Sequence, residues 1–180
     1  MAASLDIRQL SRSELIRVGE IDRTEHIDVL YVQEGDRLIE KEGNWDSPAW
    51  DSEGHGEHSV ESKIRALHGY LDLGGIAIGA LVDEQLVGLG VVIPQLRHRL
   101  AQLAFLHVSA QWRGTGVGTS LSDRLDDLAR RAGASEMVVS ATPSRNTVTF
   151  YRARGFIPMA HPLNVLTDLE PDDIHMHKAL

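Results

Sequence analysis

Cysteine is missing from all 180 positions. A disulfide framework, a thiol nucleophile and a zinc-thiolate centre are therefore excluded before any other residue is weighed. Basic residues are in short supply as well: 18 lysines and arginines stand against 26 aspartates and glutamates, a formal charge of −8. A nucleic-acid footprint needs a basic face, so that class of partner is not expected. The acidic balance suits solubility, and it favours cationic substrates such as amines. No apolar run is long enough to span a bilayer. The first residues, Met1-Ala2-Ala3-Ser4-Leu5-Asp6, lack the charged-then-apolar pattern of a secretion signal. The expectation is a cytoplasmic protein without a membrane or nucleic-acid partner.

A chain of 180 residues supports one domain with a sizeable core and is short for two. Alternation predicts a first strand at 5–10, then a helix capped by Ser11 or Ser13 with Leu15, Ile16, Val18 and Ile21 on its apolar face. A hairpin is expected at 28–41 around Glu34-Gly35-Asp36, and a long polar loop at 43–59. A helix through Ile64, Leu67 and Leu71 then stops at Gly74-Gly75. From 76 onward strands are predicted at 76–82, 86–93, 100–108 and 137–141, with further ones near 157–166 and 174–178. Helices are expected from the 114–118 turn to about Arg131 and at 146–154. This order describes one α+β domain with a mixed sheet and helices packed on it.

The informative stretch is 103–119, LAFLHVSAQWRGTGVGT, in which a buried strand runs into glycines at 114, 116 and 118 and a helix begins. Amides at a helix start have no partner within the helix, and the helix dipole adds positive potential. Glycines let a phosphate approach the backbone closely, while Arg113 and Thr115 or Thr119 can add side-chain donors. Two other phosphate loops do not fit. The spacing departs from the dinucleotide G-x-G-x-x-G fingerprint, and no Gly-Lys-Ser/Thr follows as a P-loop requires. The bland alternative is a tight strand-to-helix turn that binds nothing.

Gln111-Trp112-Arg113-Gly114-Thr115-Gly116 resembles the Q/R-x-x-G-x-G/A acetyl-CoA motif of the GNAT superfamily of N-acetyltransferases. The stretch TPSRNTVTFYRARGF at 142–156 resembles that family's second signature, a short helix with Phe-Tyr followed by Gly-Phe. The resemblance covers 76–180 as an acetyl-CoA-binding core and leaves 1–75 as a variable acceptor-side part of the same domain. It implies a mostly antiparallel sheet with a splayed strand pair at the cofactor site. It also implies transfer of an acetyl group from acetyl-CoA to a primary amine of a small molecule or peptide. Backbone groups of Leu106, His107 and Val108 would pair with the pantetheine arm. Gln111, Arg113, Gly114, Thr115, Gly116, Val117, Gly118 and Thr119 would hold the pyrophosphate. Tyr151 would protonate the leaving thiolate, a task that suits a phenol with a pKa of about 10; alternatively it is a core aromatic.

Two positions depart from the family pattern. Ser144 stands where many members have a cofactor-contacting asparagine, and Asn146 follows it, so either could make that contact or cap the short helix. Gln102 stands where some members carry a glutamate base and cannot accept a proton. Candidates for the base are then Glu20, Glu25, His107, and a water relayed by Ser140 or Thr142. That gap keeps open a non-catalytic acyl-CoA-binding module, or transfer of another acyl group. No metal is expected: His55 and His58 beside Glu53 and Glu57 read as a solvated loop. His175 and His177 share one strand face, read as exposed or as cleft-lining. Trp45, Trp50 and Tyr31 could form an acceptor wall, and the acids Glu34, Asp36, Glu40, Glu42, Asp46 and Asp51 could draw an amine to it. The oligomeric state stays open, with a homodimer the default.

Overall fold

Apolar alternation and glycine-marked turns become a large sheet in a computed structural model of the chain, which describes residues 4–51, 54, 56 and 58–180. Strand β1 (Leu5–Gln9) leads into a 3-10 helix (Arg12–Glu20), β2 (Glu25–Glu34) and β3 (Arg37–Ser47) form a hairpin, and α1 (Val60–Asp72) follows. Next come β4 (Ile76–Val82), β5 (Gln85–Arg97), β6 (Leu100–Val108), a short 3-10 turn (Ala110–Trp112) and α2 (Val117–Arg131). The chain closes with β7 (Glu136–Ala141), α3 (Arg145–Ala153), β8 (Ile157–Pro158), α4 (Asn164–Thr167) and β9 (Ile174–Ala179).

The main sheet has the order β1-β4-β5-β6-β7-β9-β8, and the β2–β3 ribbon stands apart from it. Neighbours are antiparallel except β6 and β7, which run parallel. That parallel pairing is brief. Residues 100–103 match 136–139 and the two strands then part, while the other edge of β6 stays paired with β5 as far as Val108 and Gly88. The expected splayed pair is therefore present, and the last residues of β6 carry a backbone edge that β7 does not cover.

Strand alternation sends successive side chains to opposite sheet faces, and each face has its own core. Leu121, Leu125 and Ala129 of α2 pack over Ile78, Val92, Leu103 and Val139 on one side. Leu15 and Val18 of the first 3-10 helix, Ile21 just after it and Leu67 of α1 cover Leu81, Leu89 and Phe105 on the other. Of the two possible caps, Ser11 serves the first helix in a box with Glu14. Ser59 caps α1 by accepting from the Ser62 N–H. At the far end of α1 the Gly75 N–H donates to the Tyr70 carbonyl at 2.9 Å, and a Cβ on Gly75 would stand 2.5 Å from that oxygen. Gly75→Ala must push α1 off β4; a loss of about 1–3 kcal/mol in a urea titration is expected.

Three expectations are corrected. The first helix is 3-10 rather than α. The hairpin runs on to Ser47, with Trp45 opposite Ile27 across a bulge, where a loop from residue 43 was expected. Gly43, Asn44 and Asp46 hide that strand, because a ribbon exposed along much of its length needs few apolar residues. Last, the strand expected near 157–166 shrinks to Ile157–Pro158, and 164–167 is helical. Pro158 and Pro162 cannot donate to a ladder, which ends the pairing early.

Candidate active site

The chain leaves β6 at Val108 and enters α2 through a bend that only glycine tolerates well. Gly114 and Gly116 have φ values of 76° and 95°, the left-handed region that a Cβ opposes. Gly118 is constrained differently, since a Cβ there would lie 3.3 Å from the Phe150 ring. The first helical turn closes with the Ser120 N–H on the Gly116 carbonyl. The amides of Val117, Gly118 and Thr119 thus precede any helical acceptor, at the positive end of the α2 dipole. Open amides at the positive end of a helix dipole make a seat that suits an anion such as a phosphate.

Arg113 does not reach outward from this seat. Its Nε donates to the Val108 carbonyl at 3.0 Å and its Nη1 to the Thr24 carbonyl at 2.8 Å, with Glu25 at 4.0 Å. The guanidinium clasps the end of β6 to the segment before β2. Thr115 is also engaged locally, donating from Oγ1 to the Trp112 carbonyl at 2.6 Å.

Two cavities meet at the splayed end of β6. One, of about 820 Å³, is lined by Gly114, Gly116, Gly118 and Thr119 and by α3 from Arg145 to Tyr151. The other, of about 580 Å³, lies among β2–β3, α1, the diverging ends of β6 and β7, and the turn before β9. Glu25, Leu106, Val108, Arg113, Thr147 and Tyr151 belong to both walls. Tyr151 is 4% exposed, its ring held edge-on between Phe150 and Phe156 at 5.3 Å from each. Burial first, and then the charge of Asp173, push its hydroxyl pKa well above that of a free phenol. Tyr151 therefore holds its proton at neutral pH.

Of the residues singled out in the sequence, Leu106, Val108, Arg113, Gly114, Gly116, Gly118, Thr119, Asn146 and Tyr151 line the first cavity. His107 lines the second. Gln111, Thr115, Val117 and Ser144 are not brought to the wall of the first cavity. Val117 is a buried core residue. Ser144 is 1% exposed and caps α3, accepting from the Thr147 N–H and donating to its Oγ1. Between Ser144 and Asn146, it is Asn146 that faces the cavity, with its Nδ2 donating to Glu25 at 2.9 Å.

The candidates for a base separate on similar grounds. Glu20 is a brace for the first helix, accepting from Arg17 and from the Leu86 N–H, and these bonds hold its carboxyl below the usual range. His107 stacks on Phe105 at 4.9 Å; burial, aided by Lys63, Arg23 and Arg113, pushes its pKa down to about 3. A ring that weakly basic takes no proton from an ammonium group. Glu25 lies where the cavities join but is already engaged by Asn146 and Arg113. Ser140 and Thr142 line the second cavity, and Gln102 does not.

Asp173 is the residue that sequence reasoning missed. It lines the second cavity, and burial, then Glu170 and Asp172, raise its pKa to about 7 against an opposing pull from Lys63. The only signal in the sequence was its place just before the last strand.

Other constellations resolve into structural parts. Trp50 donates from Nε1 to the Ile21 carbonyl and stacks under Arg23, whereas Trp45 lines the second cavity and Tyr31 a third, of about 550 Å³. Glu40 and Asp46 are paired with Arg145 and His26, and Glu42 lines the third cavity. His175 is buried rather than exposed, bonded through Nδ1 to Ser140, while His177 meets Glu136. Glu53, His55 and Glu57 lie outside the described residues, among which no metal-binding cluster occurs.

Comparison with known proteins follows the same geometry. The mouse protein called probable N-acetyltransferase family 8 member 5 is 35% identical over 79 residues, covering 43% of this chain. The chain spans 35% of that curated relative's length. Nourseothricin acetyltransferase superposes with a TM-score of 0.71 at 16% identity, over 97% of this chain and 98% of that one. PaiA N-acetyltransferase from Thermoplasma acidophilum, solved in complex with coenzyme A, does so at 0.62 and 17%, over 98% and 99%. At such identities the likeness is one of fold. The sequence model of the acetyltransferase (GNAT) family matches residues 40–156, from β3 through the splayed strands and the glycine bend to the end of the α3 signature. On that match, which takes in more than half of its length, the chain belongs to the acetyltransferase (GNAT) family.

Proposed function

We propose that the chain moves an acetyl group from acetyl-CoA to a primary amine by direct attack within a ternary complex. One observation carries this reading: a cavity floored by an anion seat meets a second, independent cavity at Tyr151 and Val108. The left-handed glycines and the open amides of 117–119 suit a pyrophosphate. The edge of β6 left free by β7 suits the amide groups of a pantetheine arm, which would add to it as a strand does. Acetyl-CoA would supply the activated acetyl group. A backbone N–H near Val108 would stabilise the oxyanion that develops on the carbonyl, and Tyr151 would hand its proton to the departing sulfur. Direct attack needs no covalent carrier of the acetyl group, and the absence of cysteine removes a thiol as one.

The division of labour follows the chain. Apart from Glu25, the first cavity is walled by residues after 75, whereas Arg23, Trp45, Lys63 and Tyr70 shape the second. Residues 1–75 would thus choose the acceptor and 76–180 hold the donor. Among the described residues no helix is long and apolar enough to cross a membrane. The test is release of free thiol from acetyl-CoA with a panel comprising nourseothricin, spermidine, lysine and a peptide with a free N-terminus. Turnover with intersecting initial-rate lines is expected for at least one of them. Parallel lines would remove the ternary complex. Binding of coenzyme A without thiol release from any amine would leave only a non-catalytic module.

A further inference from the structure

We infer that Asp173 is the general base of the transfer, taking the proton from the acceptor's ammonium group in the second cavity. The inference rests on the proposed acetyl transfer and assigns the role for which the strand position of Gln102 offers no acid. Topology puts Asp173 in place. The ladder between β7 and β9 ends at Ala141 opposite Ile174, so the residue before Ile174 stands just past the end of β7. That is the end of the sheet at which β6 and β7 have parted. Ile174 is fully buried, and the next residue is tied by its N–H to Gln33, so the carboxyl is carried on an anchored backbone.

Its surroundings fit the task. Among the described residues no hydrogen bond or ion pair engages the Asp173 carboxyl, in contrast to Glu20 and Glu25. Burial raises the pKa of the Tyr151 hydroxyl of α3 and the Tyr70 hydroxyl of α1, and the Asp173 charge adds to both, after Glu170 in the case of Tyr70. Lys63 of α1 faces it as the opposing cation, and Glu170 and Asp172 as like charges from its own turn. His107 of β6 is neutral on the cavity wall. On its other side Asp173 lines the third cavity with Tyr31, Lys41, Glu42 and His175, an alternative way out for a proton.

The proton balance closes. Asp173 takes one proton from the ammonium, and the freed lone pair of nitrogen forms the C–N bond. The C–S bond breaks with its electron pair on sulfur, which takes the Tyr151 proton, and the second proton of nitrogen returns to the phenol oxygen. Amide, thiol and one proton on Asp173 result, and the last passes to solvent. The two residues are coupled in the useful direction: burial is the main cause of the raised Tyr151 pKa, and once Asp173 is neutral the smaller contribution of its charge is gone, so the phenol becomes a better acid as the thiolate forms.

Asp173→Asn is the test, with the best acceptor of the panel above. A fall in kcat/KM of about 10²–10³-fold at neutral pH is expected. The rising limb of the pH–rate profile, centred near 7 in the unaltered enzyme, should disappear with it. Asp173→Glu should restore part of the rate with a shifted inflection, and coenzyme A affinity should not change in either variant.

Stability supplies an independent readout. A carboxyl whose pKa is raised on folding makes the folded state bind more protons, so stability falls as pH rises from about 4 to about 7. Above that window Asp173→Asn should melt at a higher temperature than the parent, where a merely structural residue would melt lower. An unchanged profile in Asp173→Asn overturns the assignment. Failure of the parent enzyme to release thiol at all would instead strike the proposed function.

Discussion

Tyr151→Phe should lower kcat by about 10²–10³-fold while leaving the Kd for coenzyme A nearly unchanged. The substitution deletes one oxygen and keeps the ring that packs against Phe150 and Phe156, so the fold and the anion seat lose nothing. What disappears is a phenol proton on the wall common to both cavities, held there at neutral pH. The loss should fall on kcat and kcat/KM alike, the pattern of an interaction made only as the sulfur departs. Calorimetric titration with coenzyme A and steady-state kinetics on the same preparation check both halves. An unchanged kcat would remove Tyr151 from the chemistry and leave it as a core aromatic.

Lys178→Met should cost about 3–5 kcal/mol of stability, the largest loss expected from a change far from the cavities. The Lys178 Nζ lies 2.5 Å from Asp126 Oδ2, and the two side chains are 7% and 6% exposed. The ammonium also sits 4.6 Å from the centre of the Phe156 ring. Asp126 already has one buried oxygen without a partner, and removing the lysine would strand the whole carboxylate between α2 and β9. The penalty comes from that orphaned charge more than from the lost attraction. Lys178→Met combined with Asp126→Leu should therefore recover most of the stability, a coupling that a double-mutant cycle in urea measures directly. A single-variant loss below about 1 kcal/mol would mean that solvent reaches the pair.

The glycine bend and α2 were legible because their constraints are local. Gly114 and Gly116 are written into the chain by a backbone angle, and Leu121 and Leu125 by helical spacing. The second cavity obeys long-range constraints instead. Nothing near Asp173 in the chain announces the place proposed for it; pairing of β9 with β7 carries it to the splay, and burial does the rest. His107 shows the reverse. Its ordinary pKa recommends it, yet three cations and a closed environment disqualify it. Ser144 and Asn146 were inseparable in the sequence because both can cap a helix, and only the turn into α3 decides which one faces the cavity. The β3 extension was hidden by polar residues on a ribbon that needs little core.

The inward-turned guanidinium of Arg113 has a bearing on redesign. It grips the main-chain carbonyls of Val108 and Thr24, so the parts of the chain before and after residue 76 are latched by one side chain that reads mainly backbone position, with Glu25 at 4.0 Å as its side-chain partner. A foreign acceptor module grafted in front of residue 76 can carry any residue at position 24, provided the transplanted chain offers its carbonyl at the same spot. Grafts that miss it would loosen the glycine bend and weaken cofactor retention before acceptor choice is altered at all.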